Sequence, residues 1–419
     1  MQEITTLKNG VRVALEPISF VRSVSFGIWV LNGSRNETAE TSGMSHFIEH
    51  MLFKGTANRT AKAIADEMDA IGGQLNAYTT KECTCYHARV LDTHLEKAVD
   101  VLADMFFRSS FVDAEIERER NVILEEIAMY EDTPEELAHD NLQYAVWSGS
   151  ALGRPILGTE ESISAFKHDD FITYMRNNYR PENTVIAIAG NFEREKTLAL
   201  FEQVFSAYPE APAYAAPSES IIYRPSTLAI PKDAEQLHMC IGFPGITVGA
   251  DETYVLAALN TVFGGGMSSR LFQTLREENG LVYSIYSYNE AYLEAGLFNI
   301  YAALNPTQAK AAMRLIKKEI NRLFTEKITE PELERTKEQL KSSYLLSLES
   351  SSSRMSSIGR STLFLNRILS PDELIRRIDG ITREDVYALA ERLFVPEQIS
   401  LSLAGNTKSV DAKELIAYA

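Results

Sequence analysis

His46-Phe47-Ile48-Glu49-His50 sets two imidazoles four residues apart with a carboxylate between them. On an α-helix, positions i, i+3 and i+4 share one face. His46, Glu49 and His50 therefore project together, while Phe47, Ile48, Met51 and Leu52 are left to pack the helix down. Two imidazoles one turn apart can share one zinc ion, and a carboxylate beside them can act as a base on a water that the ion activates. Histidines at this spacing can also do no more than hydrogen-bond in a core, so the rest of the chain must decide. Downstream, Glu119 and Glu126 stand seven residues apart, on one face of any helix that carries both. Cys83 and Cys85 have a poor zinc-finger spacing and no second pair, and they read as buried apolar fillers. His87, His94, His139, His168 and His238 lack ligand spacing and read as structural.

The elements that must position these residues follow from periodicity and turn signals. Asn9-Gly10 marks a hairpin between 4–9 and 11–16. Residues 22–31 read as a strand closed by Asn32-Gly33-Ser34, and a polar loop leads from there to the motif helix. A second helix at 60–71 ends at Gly72-Gly73, and 74–91 alternate as strand. Residues 93–107 form an amphipathic helix with Leu95, Ala98, Val101, Leu102 and Met105 inward. A long helix capped by Asp113 runs until Pro134 and carries Glu119 and Glu126. Helices at 135–146 and 169–178 and a buried strand at 184–190 complete this half. The Pro-, Ala- and Ser-rich stretch 207–220 reads as a linker at the midpoint.

The second half repeats the first. YRPENTVIAIAGN at 179–191 returns as FVPEQISLSLAGN at 394–406. Strand 237–243 with Pro244-Gly245 matches 24–31 with Asn32-Gly33, and strand 296–304 with helix 307–324 matches 84–91 with 93–107. Pro331 to Arg335 match Ala114 to Arg118. Repeated order of this kind means duplicated domains. The copies differ where chemistry would sit. Leu256 to Asn260 replace His46 to His50, and Thr336 and Ser343 replace Glu119 and Glu126. Histidines with only a structural role would not be lost together with distant glutamates, so the pattern favours one metal site in the first half.

Bulk properties narrow the function classes. A chain of 419 residues that is 45% hydrophobic holds two to three domains. A net charge of −17 and a pI of about 5.0 exclude a basic nucleic-acid footprint and favour cationic partners such as basic peptides. Three cysteines fit a reducing compartment rather than a disulfide scaffold. Neither a basic-then-apolar leader nor a membrane-length apolar run occurs, so a soluble cytoplasmic protein without membrane or nucleic-acid partners is expected.

On these motifs the chain resembles the pitrilysin family of inverted-motif (H-x-x-E-H) zinc peptidases. It is most similar to the branch containing the catalytic beta subunit of mitochondrial processing peptidase and its bacterial processing-protease relatives. The resemblance spans nearly the whole chain and rests on HFIEH, Glu126, the stretch FGGGMSSRLFQTLREENGLVYS at 263–284, and the duplication. It implies one Zn2+ per chain held by His46, His50 and Glu126, with Glu49 as general base and Glu119 supporting a ligand histidine. Glu125, turned roughly 100° from Glu126 on a helix, is the poorer ligand candidate. The resemblance also makes Asn76-Ala77-Tyr78-Thr79 the sheet edge that takes substrate as an added strand, with Asn76, Ala77 and Thr79 in contact. From the second half it brings Arg276 and Tyr283 to the substrate carbonyl or oxyanion. Gly264-Gly265-Gly266 lacks the phosphate-loop context and is implied to be a helix-flanking turn at the peptide chamber.

The expected fold is α+β, with two homologous domains, each a mostly antiparallel sheet with helices packed on one face. The expected boundaries are a catalytic zinc-binding domain at 1–206, a linker at 207–220 and a non-metal domain at 221–419. The expected activity is a zinc metalloendopeptidase acting on unfolded peptides or N-terminal presequence-like segments. The expected assembly is a homodimer. Two rival readings use the same residues: a single-domain H-x-x-E-H lyase with a cysteine ligand, and a catalytically silent scaffold subunit. Duplication and Glu126 argue against the first, and the intact motif against the second. The Ser-rich stretch 347–357 aligns with mid-helix and predicts a kink or a loosely packed face.

Overall fold

The structure, a computed structural model, describes residues 2–206, 208 and 220–417. The expected linker at 207–220 thus lies almost wholly outside the described residues. The first half runs β1 (Glu3–Thr6), β2 (Arg12–Pro17), β3 (Ser23–Val30), α1 (Met44–Leu52), α2 (Ala61–Asp69), β4 (Gln74–Thr79), β5 (Thr84–Leu91), α3 (Leu95–Arg108), α4 (Asp113–Glu131), α5 (Pro134–Val146), α6 (Glu160–Ala165), α7 (His168–Asn178), β6 (Thr184–Gly190) and α8 (Arg194–Phe205). The second runs β7 (Thr227–Pro231), β8 (Leu237–Pro244), α9 (Thr253–Phe263), β9 (Val282–Ala291), β10 (Gly296–Leu304), α10 (Ala309–Thr325), α11 (Glu330–Ser347), α12 (Ser351–Leu365), α13 (Pro371–Asp379), α14 (Arg383–Leu393), β11 (Ser400–Gly405) and α15 (Ala412–Ile416).

The first sheet has the order β1-β2-β6-β3-β5-β4 and the second β7-β11-β8-β10-β9. All pairs are antiparallel except β2 with β6 and β7 with β11. Without the outer β1 the two orders coincide, with the parallel pair in the same place. The repeat legible in the sequence is therefore a repeat of topology. Gly10, at φ +95°, turns the β1–β2 hairpin, as Asn9-Gly10 predicts.

Two local expectations need correction. Residues 74–91 form a hairpin, with register Gln74↔Arg89 to Thr79↔Thr84. Thr80 N–H donates to the Cys83 carbonyl at 2.8 Å to close its turn. Lys81-Glu82 carries none of the Gly, Asn or Pro that announce a turn, so alternation ran through it. Asp113 lies inside α4 rather than capping it, because the Glu115 and Ile116 N–H groups donate to the Val112 carbonyl.

The described residues form two compact units that cross the expected midpoint boundary twice. One comprises Met1–Ile127, Arg154–Glu219 and Leu345–Ser370, and the other Ala128–Gly153, Ser220–Tyr344 and Pro371–Ala419. Helix α5 of the first half thus belongs to the second unit, and α12 of the second half to the first. Within the first unit most helices lie on one face, where Phe26, Ile28, Tyr86, Ala88, Ile186 and Ile188 meet residues of α1, α3 and α7. The other face is covered by α12, whose Met355, Ile358 and Leu363 pack on Trp29, Cys85, Val185 and Ala187. A strand covered on both faces is a near-continuous apolar run, as VIAIA after Thr184 in β6 is. In the second unit α5 plays the same part, with Ala138, Leu142 and Val146 against Cys240, Leu297 and Ala404.

This packing accounts for the serines at 347–357. They do not sit mid-helix: α11 ends at Ser347, and Ser350 caps α12 by accepting the Ser353 N–H. Ser25 Oγ lies 2.9 Å from Ser351 Oγ and 3.0 Å from Ser352 Oγ. A Cβ on Gly359 would meet the Trp29 ring at 2.9 Å. Small residues here let the helix approach the sheet closely. All three cysteines are buried, as fillers should be. No helix among the described residues is long and apolar enough to cross a membrane.

Candidate metal centre

Helix α1 is fixed before any ligand is considered. Its N-cap, Gly43, has φ +90°, and a Cβ there would meet the Leu157 carbonyl at 2.6 Å. Only glycine satisfies both constraints. The orphan N–H groups at this end are taken by a side chain from outside the helix. Glu37 accepts from Gly43 N and Ser45 N, each at 2.7 Å, where the helix dipole favours an anion. Full burial pushes the Glu37 carboxyl up to about 7. Along α1, Met44, Phe47, Ile48, Met51 and Leu52 enter the core, and the Phe47 ring meets Phe171 edge-on at 4.9 Å. The helix cannot roll without opening that core, so its other face is held in place.

That face carries the motif. His46 and His50 have ring centroids 4.6 Å apart. Both Nε2 atoms point at one carboxylate oxygen, Glu126 Oε2 of α4, each at 3.8 Å. One ligand atom from each of the three residues falls within 4.8 Å of the others, and no other His, Cys, Asp or Glu trio among the described residues does so. Ligand atoms gathered this closely could hold one ion between them. The donor set of two imidazole nitrogens and one carboxylate oxygen suits zinc. Burial, and then His50, push the His46 imidazole down to about 3, so it is neutral at ordinary pH with a lone pair to offer. Its Nδ1 is buried without a hydrogen-bond partner. A stranded polar atom of this kind needs a reason, and a ring kept for its other nitrogen supplies one. Glu125 is exposed and takes no part.

Two carboxylates complete the site. Glu119, one of the buried residues, holds His50 Nδ1 at 3.2 Å through Oε2 and the Lys54 ammonium at 2.6 Å through Oε1. This is the carboxylate–histidine arrangement that fixes a metal-binding tautomer, leaving Nε2 as the donor. Lys54 escaped the sequence reading, although it is the lone cation in the apolar run after His50. Its charge offsets that of buried Glu119. Lys54→Met is expected to weaken zinc binding about tenfold, the scale of an outer contact to a ligand. Competition with a chromogenic chelator reads this directly, and an unchanged affinity would refute the role.

Glu49 is half-buried beside the trio and accepts a hydrogen bond from the Thr79 hydroxyl at 2.7 Å through Oε2. Burial pushes its carboxyl above the usual range, Glu126 adds to that, and Thr79 opposes it. Thr79 ends β4, an edge strand of the first sheet. Asn76 is exposed on the same strand, and its Oδ1 covers the Ala77 N–H at 2.8 Å.

Arg276 and Tyr283 lie in the second unit. The Arg276 guanidinium sits 5.0 Å from the Phe272 ring and 5.8 Å from that of Tyr283, which is 71% exposed. Arg276 has no carboxylate partner among the described residues. Gly264 ends α9, as a helix-flanking turn should. In that helix Leu256 is core, and Thr336 of α11 is buried, so the second copy offers no ligands at these positions. His139 and His238 contact the hydroxyls of Tyr288 and Tyr301 in the same unit and serve the packing there.

The comparisons with known proteins agree with this geometry. The family description "Insulinase (Peptidase family M16)" matches residues 12–160, and "Peptidase M16 inactive domain" matches 165–340. The chain belongs to peptidase family M16. An uncharacterized zinc protease of Bacillus subtilis, YmxG, is 45% identical over 96% of this chain and 99% of its own length. An uncharacterized zinc protease of Streptomyces coelicolor is 39% identical over 98% and 91%. A protease from Helicobacter pylori superposes with a TM-score of 0.91 at 22% identity, covering 97% of this chain and 99% of that one. A "peptidase M16 inactive domain" from Pseudomonas fluorescens gives 0.91 at 20%, covering 97% and 98%. Both structures share the two-domain α+β fold. The lyase alternative finds no support in the geometry, since Cys83 and Cys85 pack on the α12 face of the sheet while α1 packs on the other.

Proposed function

We propose that this protein is a zinc endopeptidase that cuts extended, unfolded peptides or N-terminal presequence-like segments. One observation carries the reading: Glu49 stands between the His46–His50–Glu126 trio and Thr79 at the end of an open sheet edge. Ligands, base and a surface for pairing main chain converge there. Zinc held by three protein ligands keeps a coordination position open and supplies Lewis-acid activation of water and of the scissile carbonyl. The chain's own residues do the rest. Thr79 fixes Glu49 Oε2 and leaves Oε1 free to take a proton and later return it to the leaving amine. Glu119 takes the His50 Nδ1–H and keeps that ring in one tautomer. The edge of β4 pairs with the substrate main chain, and Asn76 exchanges its hold on the Ala77 N–H for one on the substrate. Arg276 and Tyr283 are assigned, on the family resemblance, to the carbonyl and oxyanion.

The homodimer enclosing a peptide chamber, and kinship with the processing-peptidase branch, belong to this same reading. They rest on the complete motif within a single sequence. A random peptide library incubated with the zinc-loaded protein should yield internal cuts by mass spectrometry. Those cuts should vanish with chelator and return with zinc. Intact peptides in the zinc-loaded sample would overturn the reading.

A further inference from the structure

The open edge of β4 is flanked by two unlike faces. Successive side chains of a strand point to opposite sides. Leu75 and Ala77 turn toward the helical layer, where they pack against the main core. A cavity of about 700 Å³ lies along this edge, walled on that side by Phe53, Ile64 and Met68. Gln74 and Asn76 turn the other way and pair across the hairpin with Arg89 and His87 of β5, which line the same cavity. Arg89 is exposed and has no carboxylate partner among the described residues. Burial pushes the His87 imidazole down and keeps it neutral. The other cation of the cavity, Lys54, is engaged by Glu119. Its one carboxylate, Asp69, stands on α2, on the apolar side.

A peptide added to this edge would therefore show alternate side chains to an apolar trough and to a face on which Arg89 is the one charged residue that lines the cavity, with Arg360 further along it near Cys83 and Cys85. Arg89 stands two strands from the added peptide, roughly 10 Å at about 4.8 Å between strands, a gap that a guanidinium and a carboxylate side chain extended toward each other can close past Gln74. Gln74 lies five positions from Thr79, the residue that holds the base, or ~17 Å at about 3.4 Å per residue. We infer that the groove selects peptides with alternating apolar residues and an acidic residue about five positions from the bond that is cut, and that Arg89 sets this preference. The inference rests on the peptidase reading above. It runs opposite to the expectation from net charge, which pointed to basic peptides. The local charge decides because a surface field is screened within about 10 Å at ordinary salt.

The test is the sequence bias of the cuts. In a peptide-library digest, Asp and Glu should be enriched about fivefold some five positions to one side of the cleaved bond, the scale of one exposed charge pair. Arg89→Glu should shift that enrichment to Lys and Arg at the same position, and Arg89→Lys should retain it. Cuts without acidic enrichment there, or an enrichment unchanged in Arg89→Glu, overturn the inference while leaving the peptidase reading intact. Failure of that reading shows differently, as no cuts at all. In that event fluorescence anisotropy decides, with labelled apolar–acidic and apolar–basic peptides titrated into zinc-loaded Glu49→Gln protein. Tighter binding of the acidic series, lost in the Arg89→Glu double variant, supports the groove. Equal binding rejects it.

Discussion

Glu49→Gln is expected to lower peptide cleavage by about 10²–10⁴-fold, the range set by a positioned general base. The substitution isolates the proton. Glutamine matches glutamate in size, and its carbonyl can still accept from the Thr79 hydroxyl, a bond of 2.7 Å in the parent. The amide has no site that takes a proton near neutral pH. Glu49 is not one of the three converging ligand residues, so zinc content should stay at the parent level. Its place at the face of α1, with Phe47 and Ile48 holding the core, predicts an unchanged melting temperature. Initial rates on one fluorogenic peptide, zinc content by atomic absorption and a melting curve check the three parts. Cleavage at the parent rate by a correctly folded, zinc-loaded variant would show that another group handles the proton.

The residues of α1 were legible because their geometry is local. A helix converts spacing into direction, so His46, Glu49 and His50 had to share a face. The same rule paired Glu119 with Glu126 on α4 and turned Glu125 away. The duplication was legible because order survives even where residue identity does not. What escaped are side-chain contacts that no periodicity announces, some local and some across long sequence distances. Glu37 looked like part of a polar loop, yet it holds the N-terminus of α1 through two backbone N–H groups. Lys54 drew no reading from its sequence neighbours, yet it meets a glutamate 65 positions later in the chain. Thr79 was read as a substrate contact on the sheet edge, and its hydroxyl also holds the base. The exchange of α5 and α12 between units was hidden for a different reason. Hydrophobic spacing says that a helix has a face to bury, not which sheet will bury it. Ser351 and Ser352 were read as part of a kink or a loosely packed face; with Gly359 they instead let the helix approach the sheet closely.

Glu126→Ala should cost more zinc affinity than any change outside the ligand trio. Outer contacts to ligands are worth about 10–100-fold, so loss of the ligand itself should exceed 100-fold. The reason lies in the chemistry of the site. His46 and His50 offer imidazole nitrogens from one helix, and Glu126 offers the carboxylate, 3.8 Å from each Nε2. Removing it takes away both a bond and the charge that offsets the ion. It should leave the fold intact, because Glu126 is only partly buried and α4 is anchored by Ile116 and Ile123. Glu125→Ala is the control: that side chain is exposed on the same helix, one residue away, and its loss should not change affinity. Since a ligand bound only to the folded state stabilises it by mass action, zinc should raise the melting temperature of the parent and of Glu125→Ala. It should not do so for Glu126→Ala at the same concentration. Affinity lost at position 125 and kept at 126 would place the third ligand on the wrong face of α4 and undo the site as described.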